Sequence, residues 1–227
     1  DTTDQHESSP TVPPLEGDVM TTMRDYGAAK VACEDAVRAA DATATIIRAG
    51  LIGGPGDWSG RSGYYPWRFS HPTGEDVLVP PDPSQPVALI DVEDLADFVV
   101  LMAEDMIDKT MNATGRATTV GAVIDASREV AGSTATPRPV PAETLADAGI
   151  EAWMGTPSLP LWLDDADWRG FATHSSTRAD SYGLVTRPLA ETLARALDYE
   201  EQRAEPRHAG LTDVEERSLR ALLDASA

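Results

Sequence analysis

The chain has 227 residues, of which 41% are hydrophobic, so it can bury the core of one domain or slightly more. Its formal net charge of −20 at pH 7 argues against nucleic-acid binding, because phosphate contacts need clustered Lys and Arg, and no apolar run reaches membrane-spanning length. The single cysteine excludes an internal disulfide and favours a reducing compartment, so we expect a cytoplasmic protein.

Residues 1–25 combine three prolines with scattered acidic residues, a composition typical of a loop. Asp25 stands directly before an Ala-rich, Pro-free run, and we expect it to cap a helix over residues 26–40. On that helix the single cysteine, Cys33, lies among small apolar residues. It is therefore predicted to be a buried structural thiol.

Tyr26 and Lys30 open this helix and are four residues apart, which places both on one helical face. An ammonium beside a phenol favours the phenolate, and a phenol with a lowered pKa can exchange a proton with a substrate hydroxyl or carbonyl. The spacing alone fits two ordinary surface residues as well. The motifs farther along the chain distinguish these two interpretations better than the spacing does.

Residues 43–52 are apolar and β-branched, which predicts a strand buried inside a parallel sheet. Gly50, Gly53 and Gly56 then satisfy the spacing of a dinucleotide-binding fingerprint. That fingerprint must open into a helix, whereas Pro55 and Asp57 continue this segment as a loop. We interpret the three glycines as a false match.

Residues 61–68 place two arginines among three aromatic residues: Arg61, Tyr64, Tyr65, Trp67 and Arg68. Arginines in this setting clamp polar or anionic substrates through charge-assisted hydrogen bonds. The alternative is an aromatic flap that packs on its own domain and leaves Arg68 solvated. Both interpretations remain open at this point.

The rest of the chain alternates predicted strands and helices. Strands are predicted at residues 75–80, 87–92 and 110–113, and helices at 92–104, 119–130, 142–149, 188–203 and after 212. Asp91, Thr119 and Thr212 are the expected caps. The aromatic, irregular segment 153–168 suggests a lid or packing arm, and its aspartates are interpreted as solvated because no ligand spacing accompanies them, so no metal site is predicted.

Three segments together resemble a known family. They are Tyr26-x-x-x-Lys30 with Glu34, residues 45–57 (TIIRAGLIGGPGD) and residues 90–96 (IDVEDLA). Their order and spacing resemble the extended short-chain dehydrogenase/reductase superfamily, and more narrowly its NAD-dependent epimerase/dehydratase group. The resemblance implies an α/β fold: the C-terminal part of a doubly wound, Rossmann-type parallel sheet with a small α+β substrate-binding subdomain.

The resemblance also divides the chain. Residues 1–25 form a loop, residues 26–60 and 87–132 form the Rossmann-like part, and residues 61–86 and 133–227 form the substrate-binding subdomain. The strand, Gly-rich turn and helix with which the family begins have no counterpart before Tyr26. Thr2 and Thr3 stand near the place of the family's catalytic Ser or Thr, but neither is assigned that role.

By resemblance, Tyr26 acts as general acid/base beside Lys30, and a hydride moves to or from a hydroxyl- or carbonyl-bearing substrate, either a nucleotide-sugar or a small carbonyl compound. The residues implied to touch NAD or NADP are Tyr26, Lys30, Ala49, Gly50, Leu51 and Ile52; those proposed for the substrate are Arg61, Tyr64 and Arg68.

This chain alone is not expected to bind the cofactor tightly. We expect it to associate with the missing N-terminal segment or a second copy. The alternative is a non-catalytic binding or regulatory module, or an inactive fragment, that keeps only the fold.

Overall fold

The computed structural model describes residues 4–225, so Thr2 and Thr3 lie outside the described residues. Its helices are α1 (Tyr26–Ala40), α2 (Tyr64–Ser70), α3 (Val92–Glu104), α4 (Val120–Val130), α5 (Ala142–Asp147), α6 (Thr177–Ser181), α7 (Leu189–Glu201) and α8 (Asp213–Ala225), with 3-10 turns at Met23–Asp25 and Ala166–Ala172. Its strands are β1 (Ile46–Ala49), β2 (Leu51–Gly53), β3 (Asp76–Val79), β4 (Pro86–Val87), β5 (Leu89–Asp91), β6 (Thr110–Ala113), β7 (Thr118–Thr119), β8 (Thr136–Pro139), β9 (Glu151–Trp153) and β10 (Ser158–Pro160). The predicted α/β class is confirmed.

The strands pair two by two, and most pairs are parallel. Strand β1 pairs with β6, β2 with β5, β3 with β8 and β9 with β10 in parallel, whereas β4 and β7 are antiparallel. Parallel neighbours need a crossover connection, and helix α3 supplies part of the one between β1 and β6. The parallel pairs agree with the predicted Rossmann-type part, and within residues 4–225 the strands form five two-stranded sheets.

Gly50 divides the single strand predicted at residues 43–52 into β1 and β2. Its N–H donates to the Ala113 carbonyl at 2.8 Å, after which the chain leaves β6 and pairs with β5. A Cβ at Gly50 would lie 2.8 Å from the Cβ of Thr114, closer than real side-chain contacts allow. The absence of a side chain therefore lets the chain change partner at the C-terminal end of β1.

Two hydrophobic clusters form the core. The larger one joins residues of α2, α4 and α7 to β3 and the segment around β10, and the smaller one packs α3 against β6 and α6. Helix α1 contributes no buried residue to either cluster. Cys33 is exposed, so its predicted burial was wrong: it lies on the same helical face as Tyr26 and Lys30, which are exposed as well.

Most predicted helix ends are confirmed by hydrogen bonds. The Asp91 carboxylate accepts from the Glu93 N–H at 3.0 Å, and the Thr119 hydroxyl accepts from the Ala122 N–H at 3.2 Å. Asp25 does not cap α1. Its carboxylate instead accepts from the N–H groups of Thr21 and Thr22 and stabilises the 3-10 turn before the helix.

Candidate functional site

Tyr26 and Lys30 form the first pair of the candidate site. Tyr26 is the first residue of α1, and its side chain is half-exposed. The Lys30 ammonium nitrogen lies 5.4 Å from the centroid of the Tyr26 ring, within cation–π distance. The two groups therefore share one face of the helix and lie next to each other.

Arg61 connects this pair to the neighbouring loop. Its Nε donates to the Ser59 hydroxyl at 3.0 Å, and its guanidinium lies 4.8 Å above the Trp153 ring. Burial lowers the pKa of Arg61, while the Asp57 carboxylate and the Tyr26 phenol oppose that shift. Arg61 and Trp153 thus contact each other from separate parts of the chain, and the Tyr26 phenol lies within electrostatic range of Arg61.

A crevice opens where β1 ends and the chain switches to β2. It is lined by Gly50, Leu51, Pro86, Val87, Ala88, Thr114, Trp153, Leu163, Phe171, Ala172 and His174. Crevices at the carboxyl ends of parallel strands, where the strand order changes, are the usual ligand sites of open α/β sheets. The crevice therefore marks the position of the candidate substrate site. Its volume of about 10 Å³ has room for one water molecule, and Trp153 links it to Arg61.

An aromatic wall closes one side of the crevice. Trp153 and Phe171 meet edge to face, with ring centroids 5.5 Å apart. The Trp153 backbone has a φ of 68°, a left-handed conformation that is costly for a bulky residue and persists only where its surroundings impose it. The lid or arm predicted for segment 153–168 thus contributes directly to the crevice.

His174 is a crevice residue that the sequence did not single out. Burial and the nearby positive charge of Arg48 lower its pKa, so the imidazole is neutral at pH 7. Arg48 is itself held by Glu34 through two hydrogen bonds of 2.7 and 2.8 Å. No local pattern marks His174, because only the folded chain brings it to strand β1.

Tyr64 and Arg68 lie elsewhere, in the core. Both side chains are fully buried. Arg68 pairs with Glu216 at 3.2 Å and with Asp213 at 2.7 Å, and donates to the Leu211 carbonyl at 2.7 Å. Burial raises the pKa of Tyr64 to about 12. The structure brings neither residue to the crevice, and Arg68 is not solvated either: it fastens α2 to α8.

The Gly-rich loop that follows β2 closes on itself. The Asp57 carboxylate accepts from the N–H groups of Ser59 and Ser62 and from both of their hydroxyls. Arg203 donates to the carbonyls of Asp57 and Trp58. Helix α2 begins only at Tyr64, after this closed loop.

The residues implied to contact the cofactor divide into two groups. Gly50 and Leu51 line the crevice. Ala49 and Ile52 are exposed on either side of the junction between β1 and β2.

Within residues 4–225, no group of three or more His, Cys, Asp or Glu side chains is placed to hold a metal ion, and no helix is long and apolar enough to cross a membrane.

Solved structures match this chain in fold. They include the UDP-glucose 4-epimerase of Thermus thermophilus in complex with NAD, at 15% identity and a TM-score of 0.55 over 83% of this chain and 60% of that chain. The Thermotoga maritima UDP-glucose 4-epimerase with UDP-glucose matches at 19% identity and a TM-score of 0.55, over 84% and 60%. The Bacillus cereus UDP-glucuronic acid 4-epimerase in complex with NAD matches at 13% identity and a TM-score of 0.53, over 86% and 58%.

The chain has the fold of the C-terminal part of these epimerases. It spans about three fifths of their length. No family model matches the sequence, and no curated protein matches it in sequence. The epimerase resemblance predicted from the three motifs is therefore confirmed at the level of the fold, with those motifs on α1, on β1 and β2, and at the start of α3.

Proposed function

We propose that this chain is the tyrosine-bearing, substrate-binding part of an NAD(P)-dependent epimerase, dehydratase or reductase. One observation carries the proposal: the Tyr26–Lys30 pair is within electrostatic range of Arg61, which stacks on the Trp153 wall of the crevice. Proteins with the same fold are described as complexes with NAD and with UDP-glucose. This supports a nicotinamide cofactor and a substrate that is a nucleotide-sugar or a smaller carbonyl compound.

The residues have separate tasks in this proposal. The Tyr26 hydroxyl exchanges a proton with a hydroxyl or carbonyl oxygen of the substrate. The Lys30 ammonium, 5.4 Å from the centre of the Tyr26 ring, would hold the ribose of the nicotinamide nucleotide. NAD(P), when bound, supplies the hydride acceptor or donor. The aromatic wall restricts water around the reacting atoms.

Gly50 and Lys30 are the residues proposed for the nicotinamide end of the cofactor. Gly50 has no side chain in the lining of the crevice, and Lys30 is exposed on α1 beside Tyr26. The pyrophosphate needs free backbone N–H groups at the start of a helix. In the loop between β2 and α2, those donors bind Asp57. We therefore expect the isolated chain to bind NAD(P) weakly, which a fluorescence titration with NADH measures.

The test of the proposed function is a comparison of tyrosine variants. In the product of the complete reading frame that contains this chain, Tyr26→Phe is expected to lower kcat/KM for a UDP-sugar by about 10²- to 10⁴-fold, the usual contribution of a general acid/base. Tyr199→Phe, a change of the same chemistry on α7, is the matched control and leaves kcat/KM unchanged. Undiminished turnover in Tyr26→Phe would overturn the catalytic assignment.

The second candidate is a non-catalytic module that keeps the epimerase fold. The closed loop after β2 favours it, because this loop offers no pyrophosphate cradle within the described residues. Calorimetry on the complete product separates the two proposals. Binding of NAD(P) with turnover supports the enzyme, whereas ligand binding in the crevice without any cofactor binding supports the module.

A further inference from the structure

Arg61 is unusual among the cationic side chains of this acidic chain. Most Lys and Arg residues pair with a carboxylate. Within residues 4–225, those without an ion pair are Arg24, Lys30, Arg61, Arg116 and Arg128. Three of these are exposed, and the guanidinium of Arg128 donates to the Ser133 carbonyl.

The terminal nitrogens of Arg61 are free to take a ligand. The inner nitrogen, Nε, is bound to Ser59, and the flat face of the guanidinium rests on Trp153. Neither terminal nitrogen donates to any atom of the described residues, although the residue is partly buried. By contrast, the partly buried Arg48, Arg187 and Arg207 each hold a carboxylate. Asp57 attracts the charge of Arg61 without a direct ion pair and offsets only part of the effect of burial. A partly buried arginine normally has a direct anionic partner.

The fixed edge of Arg61 has the geometry of an oxyanion receptor. Two parallel N–H donors of one guanidinium match the two oxygens of a carboxylate or of a phosphate ester. Stacking on Trp153 and the bond to Ser59 fix the plane of this fork before a ligand arrives, which reduces the entropy lost on binding. The guanidinium is also within electrostatic range of the Tyr26 phenol, where the proposed chemistry takes place.

We infer that Arg61 selects substrates that carry an acidic group close to the reacting hydroxyl or carbonyl, with the oxyanion held by its terminal nitrogens and the adjoining part of the substrate lying against Trp153. The inference rests on the proposed function, because it places the reacting atoms beside Tyr26. It narrows the substrate class to acidic compounds such as uronic acids, hydroxy acids or phosphorylated carbonyl compounds. Neutral sugars lack the group that Arg61 would bind.

A ligand titration without cofactor or turnover tests this inference. The chain is labelled with 5-fluorotryptophan, and the ¹⁹F resonance of residue 153 is assigned by its loss in Trp153→Phe. Glucuronate, glucose 6-phosphate and glucose are the probes. We expect at least one of the two anions to shift this resonance in a saturable way, at a concentration at least tenfold lower than glucose. Glucuronate and glucose 6-phosphate distinguish a carboxylate from a phosphate as the preferred anion.

Variants make the result specific to Arg61. Arg61→Gln is expected to weaken anion binding at least tenfold, and Arg61→Lys to recover part of it, because the charge returns without the fork. Arg217→Gln removes the same charge from an exposed site on α8 and should bind as the unmodified chain does. Equal binding of glucose and both anions, or undiminished anion binding in Arg61→Gln, would overturn the inference. Neither result bears on the Tyr26→Phe comparison, so the two proposals fail independently.

Discussion

Glu34 ties helix α1 to strand β1. Its carboxylate accepts two hydrogen bonds from Arg48, and these lower the pKa of Glu34 although burial opposes them. Helix α1 buries no residue of its own, so this pair takes the place of an apolar contact. It also keeps the positive charge of Arg48 close to His174 at the crevice.

Replacement of Glu34 by Gln should therefore lower stability in a pH-dependent way. The folded-state pKa is below the usual value of about 4.3, so the pair's contribution is fully present above that pH and is lost as the pH falls through the folded-state pKa. We expect Glu34→Gln to lower the free energy of unfolding by about 1.5 to 3 kcal/mol at pH 7. Urea denaturation at pH 7 and near pH 3 measures the difference, which should shrink at the lower pH. Glu104→Gln, at the exposed end of α3, is the control. A loss of stability in Glu34→Gln that is the same at both pH values would contradict this explanation.

Gly50 permits the close approach between the β1–β2 junction and Thr114. We expect Gly50→Ala to destabilise the fold by about 1 to 3 kcal/mol, because a Cβ would lie 2.8 Å from the Thr114 Cβ and 3.2 Å from its Cα. Gly27→Ala in α1 is the contrast: its Cβ would meet Val12 at an ordinary 3.7 Å, and the better helix propensity of Ala favours the folded state by up to about 1 kcal/mol. Thermal denaturation of both variants tests this explanation, which requires Gly50→Ala to lower the melting temperature and Gly27→Ala to raise it.

At the scale of elements, helix α8 is held by ionic contacts as well as by Leu219. Glu216 is fully buried; it pairs with Arg68 at 3.2 Å and accepts from the Thr73 hydroxyl at 2.8 Å. The adjacent Arg220 donates to the Asp76 carboxylate of β3 at 2.7 Å. These contacts join α2, β3 and α8, which explains why Arg68 serves the core rather than the crevice.

Loss of the Glu216 charge should loosen the whole helix. Glu216→Gln removes the buried counter-charge of Arg68 and leaves only the half-exposed Asp213, so we expect a loss of about 3 kcal/mol in the free energy of unfolding. Arg217→Ala, one residue along but exposed, should change it by less than about 0.5 kcal/mol. Chemical denaturation together with the rate of proteolysis within α8 provides the measurement. Similar stabilities for the two variants would show that the buried pair does not hold the helix.

At the scale of the whole molecule, one edge of β1 has no strand beside it. Ile46 and Gly50 donate their N–H groups to carbonyls at 3.0 and 2.8 Å on the β6 side. Because alternate residues of a strand face opposite edges, the N–H groups of Ile47 and Ala49 face away from β6, where the described residues place no partner strand. Val37 and Tyr26 on the nearby helix are also exposed. Such an edge with adjoining apolar surface favours association with another chain or segment.

We therefore expect this chain to associate through the β1 edge, with the N-terminal segment of the epimerase fold or with a second copy. Covering about 400 Å² of apolar surface is worth roughly 10 kcal/mol before entropy costs. Light scattering after size exclusion should give a mass above 24.2 kDa, or a complex with the added segment. Hydrogen exchange at Ile47 and Ala49 should slow on association, while Ile46 and Gly50 are already protected. A stable monomer at tens of micromolar with fast exchange at both sites would contradict this.

Features that depend on neighbouring residues were predictable from the sequence. Helix α1 has the bounds predicted for it, as do α3 and strand β6, and the caps at Asp91, Thr119 and Thr212 form as expected. Propensity, periodicity and capping act over a few residues, so the order of residues is sufficient to reveal them. The spacing of three motifs in turn predicted the epimerase fold.

Features that depend on distant segments were decided only by the tertiary structure. Arg61 and Arg68 stand in one short aromatic segment with the same chemistry, yet one has free terminal nitrogens beside the crevice and the other is buried against α8, 145 residues away. Cys33 is exposed because helix α1 buries none of its residues in the core. The motifs and local elements were determined by the sequence itself. Which residues belong to the site was decided by the long-range contacts that bury each charge, because burial is a property of the folded chain and not of any local pattern.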